Sequence, residues 1–292
     1  MTIFSWQFAL GYLILAPFIG GFMTGLDRKI SARMQGRVGP SLLQPFYDVS
    51  KLMQKETKIV NHLQQFMVSS FVIFVAFTGA LFFFGGDLLL VFFSLTLAGI
   101  FYVLTASCAN APYSSLAAQR ELLQMMAYEP MVLLAAIGFY LATGSFAVKD
   151  IAAADMSGIV MLPGFFLGFL FILAIKLRKS PFDLSTGQHA HQELVQGLNS
   201  DLSGFVMGLV EIAHWYENVF LFGVVGLFIL NSHVWSIPVA LVVCFLVYFL
   251  AILVDNVSAR VKWKLLFTSA WIVTACTGVV NLLVVSLLHL AK

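Results

Sequence analysis

Charge and cysteine are what this sequence has little of. Of its 292 residues, 60% are hydrophobic and only 10% are charged, with a mean hydropathy of +0.94; a soluble domain is about 25% charged. That composition excludes a water-soluble fold. Cys108, Cys244 and Cys276 are the three cysteines, far apart and with no C-x-x-C pair, so a Cys-ligated iron–sulfur cluster is excluded. They read as small apolar residues buried in or beside apolar segments. No P-loop, Rossmann glycine pattern or Gly-x-Ser-x-Gly elbow is present, which leaves nucleotide binding and hydrolase chemistry without support.

What the sequence does have is long apolar runs. A spanning helix needs roughly 20 mostly apolar residues, because each adds about 1.5 Å against a hydrocarbon core of about 30 Å. Segments 3–26, 66–84, 88–108, 130–148, 159–177, 204–230, 236–254 and 265–289 meet that requirement. The runs are continuous, not short and alternating as in barrel strands, so the expected fold class is an all-α integral membrane protein of about eight transmembrane helices. Residues 1–292 read as a single polytopic membrane domain, and the first apolar run, preceded by no positive charge, reads as a retained span.

Of the 16 Lys and Arg residues, all but Lys149 and Lys292 fall in the connections after spans one, three, five and seven. The positive-inside bias then puts those connections in the cytoplasm and both termini outside, in a multi-pass protein of the cytoplasmic membrane.

The first of these connections, 27–65, turns at Gly39-Pro40. Beyond the turn Leu42, Phe46, Val49 and Met53 recur at helical spacing, with Gln44, Asp48, Lys51 and Lys55 around the rest of the wheel. This predicts an amphipathic interfacial helix of about four turns, too short and polar to span. Arg28, Arg33, Arg37, Asp48 and Lys51 are its candidate partner-docking residues; the plainer reading is a lipid-surface anchor. In the second connection Pro130 disfavours helical geometry at Glu129, so a boundary or kink is expected there. The stretch 112–148 exceeds one upright span, which requires either strong tilt or a protein-lined cavity around its polar first half. The third connection, 176–199, leads into a segment bearing Glu211, His214 and Glu217. Steps of three residues confine these side chains to an arc of about 120°, so they can share one polar cavity.

A carboxylate inside a span costs several kcal/mol at mid-bilayer, so Glu129, Glu211, His214 and Glu217, with Asp183 and Glu193 from the third connection, are candidates for a proton path. The alternative is a hydrogen-bonded cluster that only joins helices. His189, His191 and Glu193 contain metal-ligand chemistry but lack a convincing fourth ligand, so no metal site and no cofactor is expected in this chain.

These connections also hold recognisable motifs. Arg37-Val-Gly-Pro-Ser-Leu-Leu-Gln-Pro-Phe-Tyr-Asp-Val-Ser-Lys-Leu-Met-Gln-Lys-Glu56, Ala127-Tyr-Glu-Pro130, Ser180-Pro-Phe-Asp-Leu184 and Glu193-Leu-Val-Gln-Gly197 resemble, in order and spacing, the proximal membrane subunit of respiratory complex I and its hydrogenase relatives. The resemblance covers about residues 5–260. It implies an eight-helix subunit between a cytoplasmic redox arm and antiporter-like membrane subunits, with a glutamate-lined path leading sideways into the membrane.

Departures from the quinone-reducing members select a branch. Lys176–Lys179 stands where those have a Glu-Thr-Asn-Arg type stretch, and Ala213-His214 stands where they have Ala-Glu. Gln188-His-Ala-His-Gln-Glu193 resembles energy-converting, membrane-bound nickel–iron hydrogenases of the Ech type. That resemblance implies a subunit with no catalysis of its own, coupling ferredoxin-linked hydrogen production to proton or sodium translocation. The implied partners are the hydrogenase large and small subunits on the cytoplasmic side, a ferredoxin-like iron–sulfur subunit, an antiporter-like membrane subunit and the lipid bilayer, with no nucleic acid. The nickel–iron centre and the iron–sulfur clusters belong to those partners. A quinone-binding complex I subunit and a stand-alone secondary transporter are the competing readings; the transporter would show paired interrupted helices in two repeats.

The charge asymmetry makes a direct prediction. In intact cells an impermeant thiol reagent labels Lys149→Cys and not Lys55→Cys, and external labelling at position 55 overturns the orientation.

Overall fold

The computed structural model describes residues 4–56, 61–179, 181–187 and 193–290, and among these no extended strand is present. In chain order the helices are α1 Trp6–Met34, α2 Gln44–Gln54, α3 His62–Phe84, α4 Leu88–Ser107, α5 Pro112–Thr143, α6 Val148–Ala152, α7 Gly158–Met161, α8 Pro163–Lys176, α9 Gly204–Leu227, α10 Ser236–Val257, α11 Trp263–Val273 and α12 Val280–Leu290. The last two are one rod, joined through a π-helical turn at Thr274–Val279. Six of these rods, α1, α3, α4, α5, α10 and the α11–α12 rod, are long and apolar enough to cross a membrane, and α8 is a shorter apolar helix. α9 has 24 residues but carries Glu211 and Glu217.

The bundle is apolar outside and charged inside. Ile14, Phe18, Ile73, Leu241, Phe245 and Leu265 point outward from their helices, as befits a lipid-facing surface, while the interior is packed with rings such as Tyr102, Phe82, Phe92, Phe139 and Phe165. Cys276 also faces outward, contrary to the expectation that all three cysteines are buried; Cys108 and Cys244 are partly buried. The reason is that the rod carrying Cys276 covers little of the bundle and presents most of its surface outward.

Ends of the helices meet in a definite order. At one end Gln35 Nε2 donates to Asn256 Oδ1 at 2.9 Å, Asn61 Nδ2 reaches the carbonyl of Cys108 at 3.5 Å, and Asp183 N donates to the carbonyl of Val261 at 3.1 Å. The four basic connections therefore gather together. At the other end Leu88 N donates to the carbonyl of Phe146 at 2.8 Å and Ser232 N to that of Ala154 at 3.0 Å.

Two expectations change here. α5 runs unbroken through Pro130, so the boundary at Glu129 is absent. Proline costs about 3 kcal/mol inside a helix, but Ala127, Tyr128, Met131, Val132 and Ala135 are all buried around it, and that packing outweighs the local preference. One face of the first half of α5 lies against protein, with Ser114, Ala117, Ala118 and Gln124 buried, while Tyr113, Leu116, Leu122 and Leu123 on the other face are exposed. α2 has 11 residues, about three turns and not four, because Leu42 and Leu43 belong to the preceding turn and the helix opens at Gln44, with Pro45 in its first turn. Its apolar face packs on protein: Phe46 lies 5.3 Å from Trp215 of α9 and 6.4 Å from Phe18 of α1, centroid to centroid.

Glycines on α1 make that contact possible. A Cβ at Gly20 would meet the Trp215 carbonyl at 2.5 Å, one at Gly21 would meet the Phe46 ring at 2.6 Å, and one at Gly25 would overlap the backbone of Leu42. Gly11 on the same helix has nothing within 4 Å. Backbone cannot yield as a side-chain tip can, so Gly20→Val should cost at least about 1–3 kcal/mol and reduce the amount of folded protein in the membrane. Gly11→Val should accumulate normally. Equal accumulation and equal melting temperature of the two variants in detergent would refute this packing.

Candidate functional site

The third connection turns its basic residues inward. Lys176 ends α8, and its Nζ stands 3.5 Å from Glu217 Oε1 and 4.3 Å from the centre of the Tyr128 ring. Arg178 adopts a left-handed backbone, φ +56°, a conformation that costs a non-glycine residue about 1–3 kcal/mol. That twist sends its guanidinium to His214 Nε2 at 2.8 Å and over the face of Tyr102 at 5.1 Å. Lys179 is buried as well, 2.5 Å from Asp27 Oδ2 and 3.7 Å from Asp255 Oδ2. Residues that flank an apolar run, and look like ordinary orientation signals, are thus interior cations.

Around them lies a cavity of about 650 Å³, lined by the end of α1, the third connection, α9 and α10. Glu211, His214 and Glu217 all line it, so the one-face reading of α9 holds in three dimensions. His214 Nδ1 is 3.5 Å from Glu217 Oε2. An arginine only donates, so His214 Nε2 accepts from Arg178 and the ring hydrogen of the neutral imidazole is on Nδ1, directed at Glu217. Tyr102 OH extends the chain, donating to Asn199 Oδ1 at 2.8 Å. The result is a cluster of exchangeable groups around one cavity, joined by hydrogen bonds from Arg178 to His214 and from Tyr102 to Asn199 and by the 3.5 Å approach of His214 to Glu217.

The other candidates fall elsewhere. Asp183 is fully buried between Arg260 Nη2 at 3.0 Å and Arg120 Nη1 at 3.5 Å, and it accepts the amide of Glu193 at 3.2 Å. Glu193 pairs with Arg120. The hydrogen bond from Arg120, opposed by desolvation and helped by the charges of Arg120, Arg260 and Lys262, holds the Glu193 carboxyl below the usual glutamate range. Together these residues tie the second, third and fourth basic connections to one another, an anchoring geometry. Glu129 is half-buried on α5 and does not line this cavity.

The docking candidates divide too. Arg28 donates to Asp48 Oδ2 at 2.7 Å and Gln44 to Asp48 Oδ1 at 2.9 Å, a clasp between α1 and α2. Desolvation raises the Asp48 carboxyl, but those two bonds and the charges of Arg28 and Lys51 outweigh it and leave it below the usual aspartate range. Arg37 bonds Gln35, and with Arg28 it lines the cavity mouth. Arg33 and Lys51 are exposed. Among the described residues no three His, Cys, Asp or Glu side chains cluster as metal ligands, and His189 and His191 lie outside the described residues.

Lys176 and Arg178, read in the sequence only as part of the basic Lys176–Lys179 stretch, join the site, and so do Tyr102 and Tyr128, which the sequence did not single out. A lysine after an apolar run carries no sign of whether it flanks the membrane or turns inward; only the left-handed residue two positions on reverses the chain direction. The basic charges at 176, 178 and 179 were legible as positions, and their turn inward was not.

Comparison with known proteins places this geometry in a family. The family described as NADH dehydrogenase matches residues 8–286. The H subunit of the NADH-quinone oxidoreductase of Anoxybacillus flavithermus is 32% identical over 246 residues, 75% of this chain and 72% of the relative. Hydrogenase-4 component C of Escherichia coli is 27% identical over 290 residues, 91% of each chain. A chain in the membrane-bound sulfane sulfur reductase, an archaeal respiratory membrane complex, has the same fold, with a TM-score of 0.83 and 24% identity over 94% of this chain and 98% of that one. The resemblance read from the basic connections holds, and this multi-pass, all-α membrane protein belongs to the NADH dehydrogenase family.

Proposed function

We propose that this chain is a membrane subunit of a complex I-like respiratory complex, and within that class the subunit of an energy-converting hydrogenase that anchors the cytoplasmic redox arm and carries protons. One observation supports it above all: Glu211, His214 and Glu217, with Lys176 and Arg178, are enclosed in a membrane bundle around one cavity of about 650 Å³. Intramembrane ionisable groups are costly and are kept where ions or protons move. The His214 tautomer aims a hydrogen at Glu217, as a relay requires.

Two features favour hydrogenase over quinone chemistry. The cavity presents Arg28, Arg37, Lys176, Arg178 and Lys179 and four carboxylates to whatever enters, a poor host for an isoprenoid tail. The similarity to hydrogenase-4 component C extends over 91% of both chains. A quinone-binding role, in line with the NADH-quinone oxidoreductase relatives, is the second reading, and their higher identity is what favours it. In the hydrogenase reading the nickel–iron centre and iron–sulfur clusters reside in the large, small and ferredoxin-like subunits, docked on the end where the basic connections meet. An antiporter-like subunit packs alongside in the cytoplasmic membrane, both termini face outside, and hydrogen formation from reduced ferredoxin is coupled to proton or sodium movement.

Purification of the intact complex in mild detergent separates the readings: nickel and iron favour the hydrogenase, flavin and quinone favour complex I. The path itself is tested by Glu211→Gln combined with Glu129→Gln, since glutamine keeps size and hydrogen bonding but cannot ionise. In reconstituted vesicles the double variant should retain the metal content of the complex while proton uptake per hydrogen formed falls by about a hundredfold. A wild-type ratio and rate would make these carboxylates structural and the path wrong.

A further inference from the structure

Next to the large cavity lies a second, of about 20 Å³, between α3, α4, α5 and the end of α8. The two share Lys176, Arg178, Thr186 and Glu217, so the Lys176–Glu217 pair is the partition between them. On the far side stand Glu121, Gln124 and Tyr128 of α5. Gln124 is buried, and its Nε2 has no hydrogen-bond partner among the described residues. Glu121 accepts the hydroxyl of the buried Ser185. A water needs about 10–15 Å³ of such volume and two to four polar partners, and this cavity offers both.

The two cations at the partition are held differently. Arg178 is fixed by His214 at 2.8 Å and Tyr102 at 3.4 Å, in a backbone conformation that leaves it little freedom. Lys176 stands at 3.5 Å from Glu217, longer than the roughly 2.7–2.9 Å of a tight charged hydrogen bond. Its four-carbon stem is flexible, and its ammonium is a point charge that accepts many geometries. One carboxylate is thus on each side of a loosely held cation, with room for a water between them.

We propose that Lys176 is a switchable counter-ion in the proton path: its ammonium alternates between Glu217 on α9 and Glu121 on α5, and a water in the small cavity bridges the two carboxylates. Glu217 takes a proton from the large cavity and loses its charge, and Lys176 then turns to Glu121, which has released its own proton onward. The O–H bond of Glu217 breaks as one forms on the bridging water, the water's opposite O–H passes to Glu121, and the ammonium returns to Glu217. One proton has crossed, the water is regenerated and the lysine keeps its three hydrogens throughout. This rests on the proton-path reading above and extends it with two residues, Lys176 and Glu121, that the path did not include.

The test uses the complete complex in vesicles, with metal content as the measure of assembly. Lys176→Met removes the charge, and Glu121→Gln keeps size and hydrogen bonding while abolishing ionisation. Both should lower proton uptake per hydrogen formed by roughly a hundredfold. Lys176→Arg, which keeps the charge, should restore part of it. Infrared difference spectra add a readout independent of turnover: Lys176→Met should show a new protonated-carboxyl absorption at neutral pH that disappears when Glu217→Gln is added, because a carboxylate that has lost its counter-ion in an apolar bundle takes up a proton. Absence of that band, or a wild-type ratio in Glu121→Gln, overturns the proposal. If Lys176→Met does not assemble with its metals, Glu121→Gln decides alone. A ratio that falls in the Glu211→Gln, Glu129→Gln variant and not in Glu121→Gln overturns the lysine's role and leaves the path standing; an unchanged ratio in all of them overturns both.

Discussion

The contact between Lys176 and Glu217 is the one on which the rest of the site depends. Each charge alone would carry a desolvation penalty of several kcal/mol inside an apolar bundle, and the pair is tolerable only because it is joined to further polar partners. Those partners are in place: the Tyr128 face on one side, His214 and Arg178 on the other, and Tyr102 and Asn199 beyond. Removing either partner leaves an uncompensated charge, which is why the third connection must fold back into the bundle and not simply cross the surface.

Small residues let the helices close around that pair. Gly20, Gly21 and Gly25 bring α1 against Trp215, Phe46 and Leu42, and through them fix α9, the helix that presents Glu211, His214 and Glu217. The Arg28–Asp48 clasp and the Asp183 cluster then tie the first, second, third and fourth basic connections at one end of the bundle. The polar groups divide into two kinds by geometry. Asp183, Glu193 and Asp48 are clamped by arginines and act as anchors, whereas Glu217 is bordered by a histidine and a lysine and opens onto two cavities.

Much of this was legible in the linear sequence. Continuous apolar runs determined an all-α membrane fold, because hydrocarbon leaves helices as the means of satisfying every backbone group within one segment. The three-residue spacing of Glu211, His214 and Glu217 determined that they share a face, because helical geometry is local. Alternation of Lys and Arg determined which connections lie together. Tertiary structure alone decided that Lys176, Arg178 and Lys179 point inward, that Asp183 and Glu193 are held by Arg120 and Arg260 away from the α9 cavity, and that α5 continues through Pro130. In each case the deciding partner is remote in the chain, Glu217 for Lys176 and Arg260 for Asp183, and the free energy of burying a charge is set by where that partner stands, a quantity that no local pattern of residues encodes.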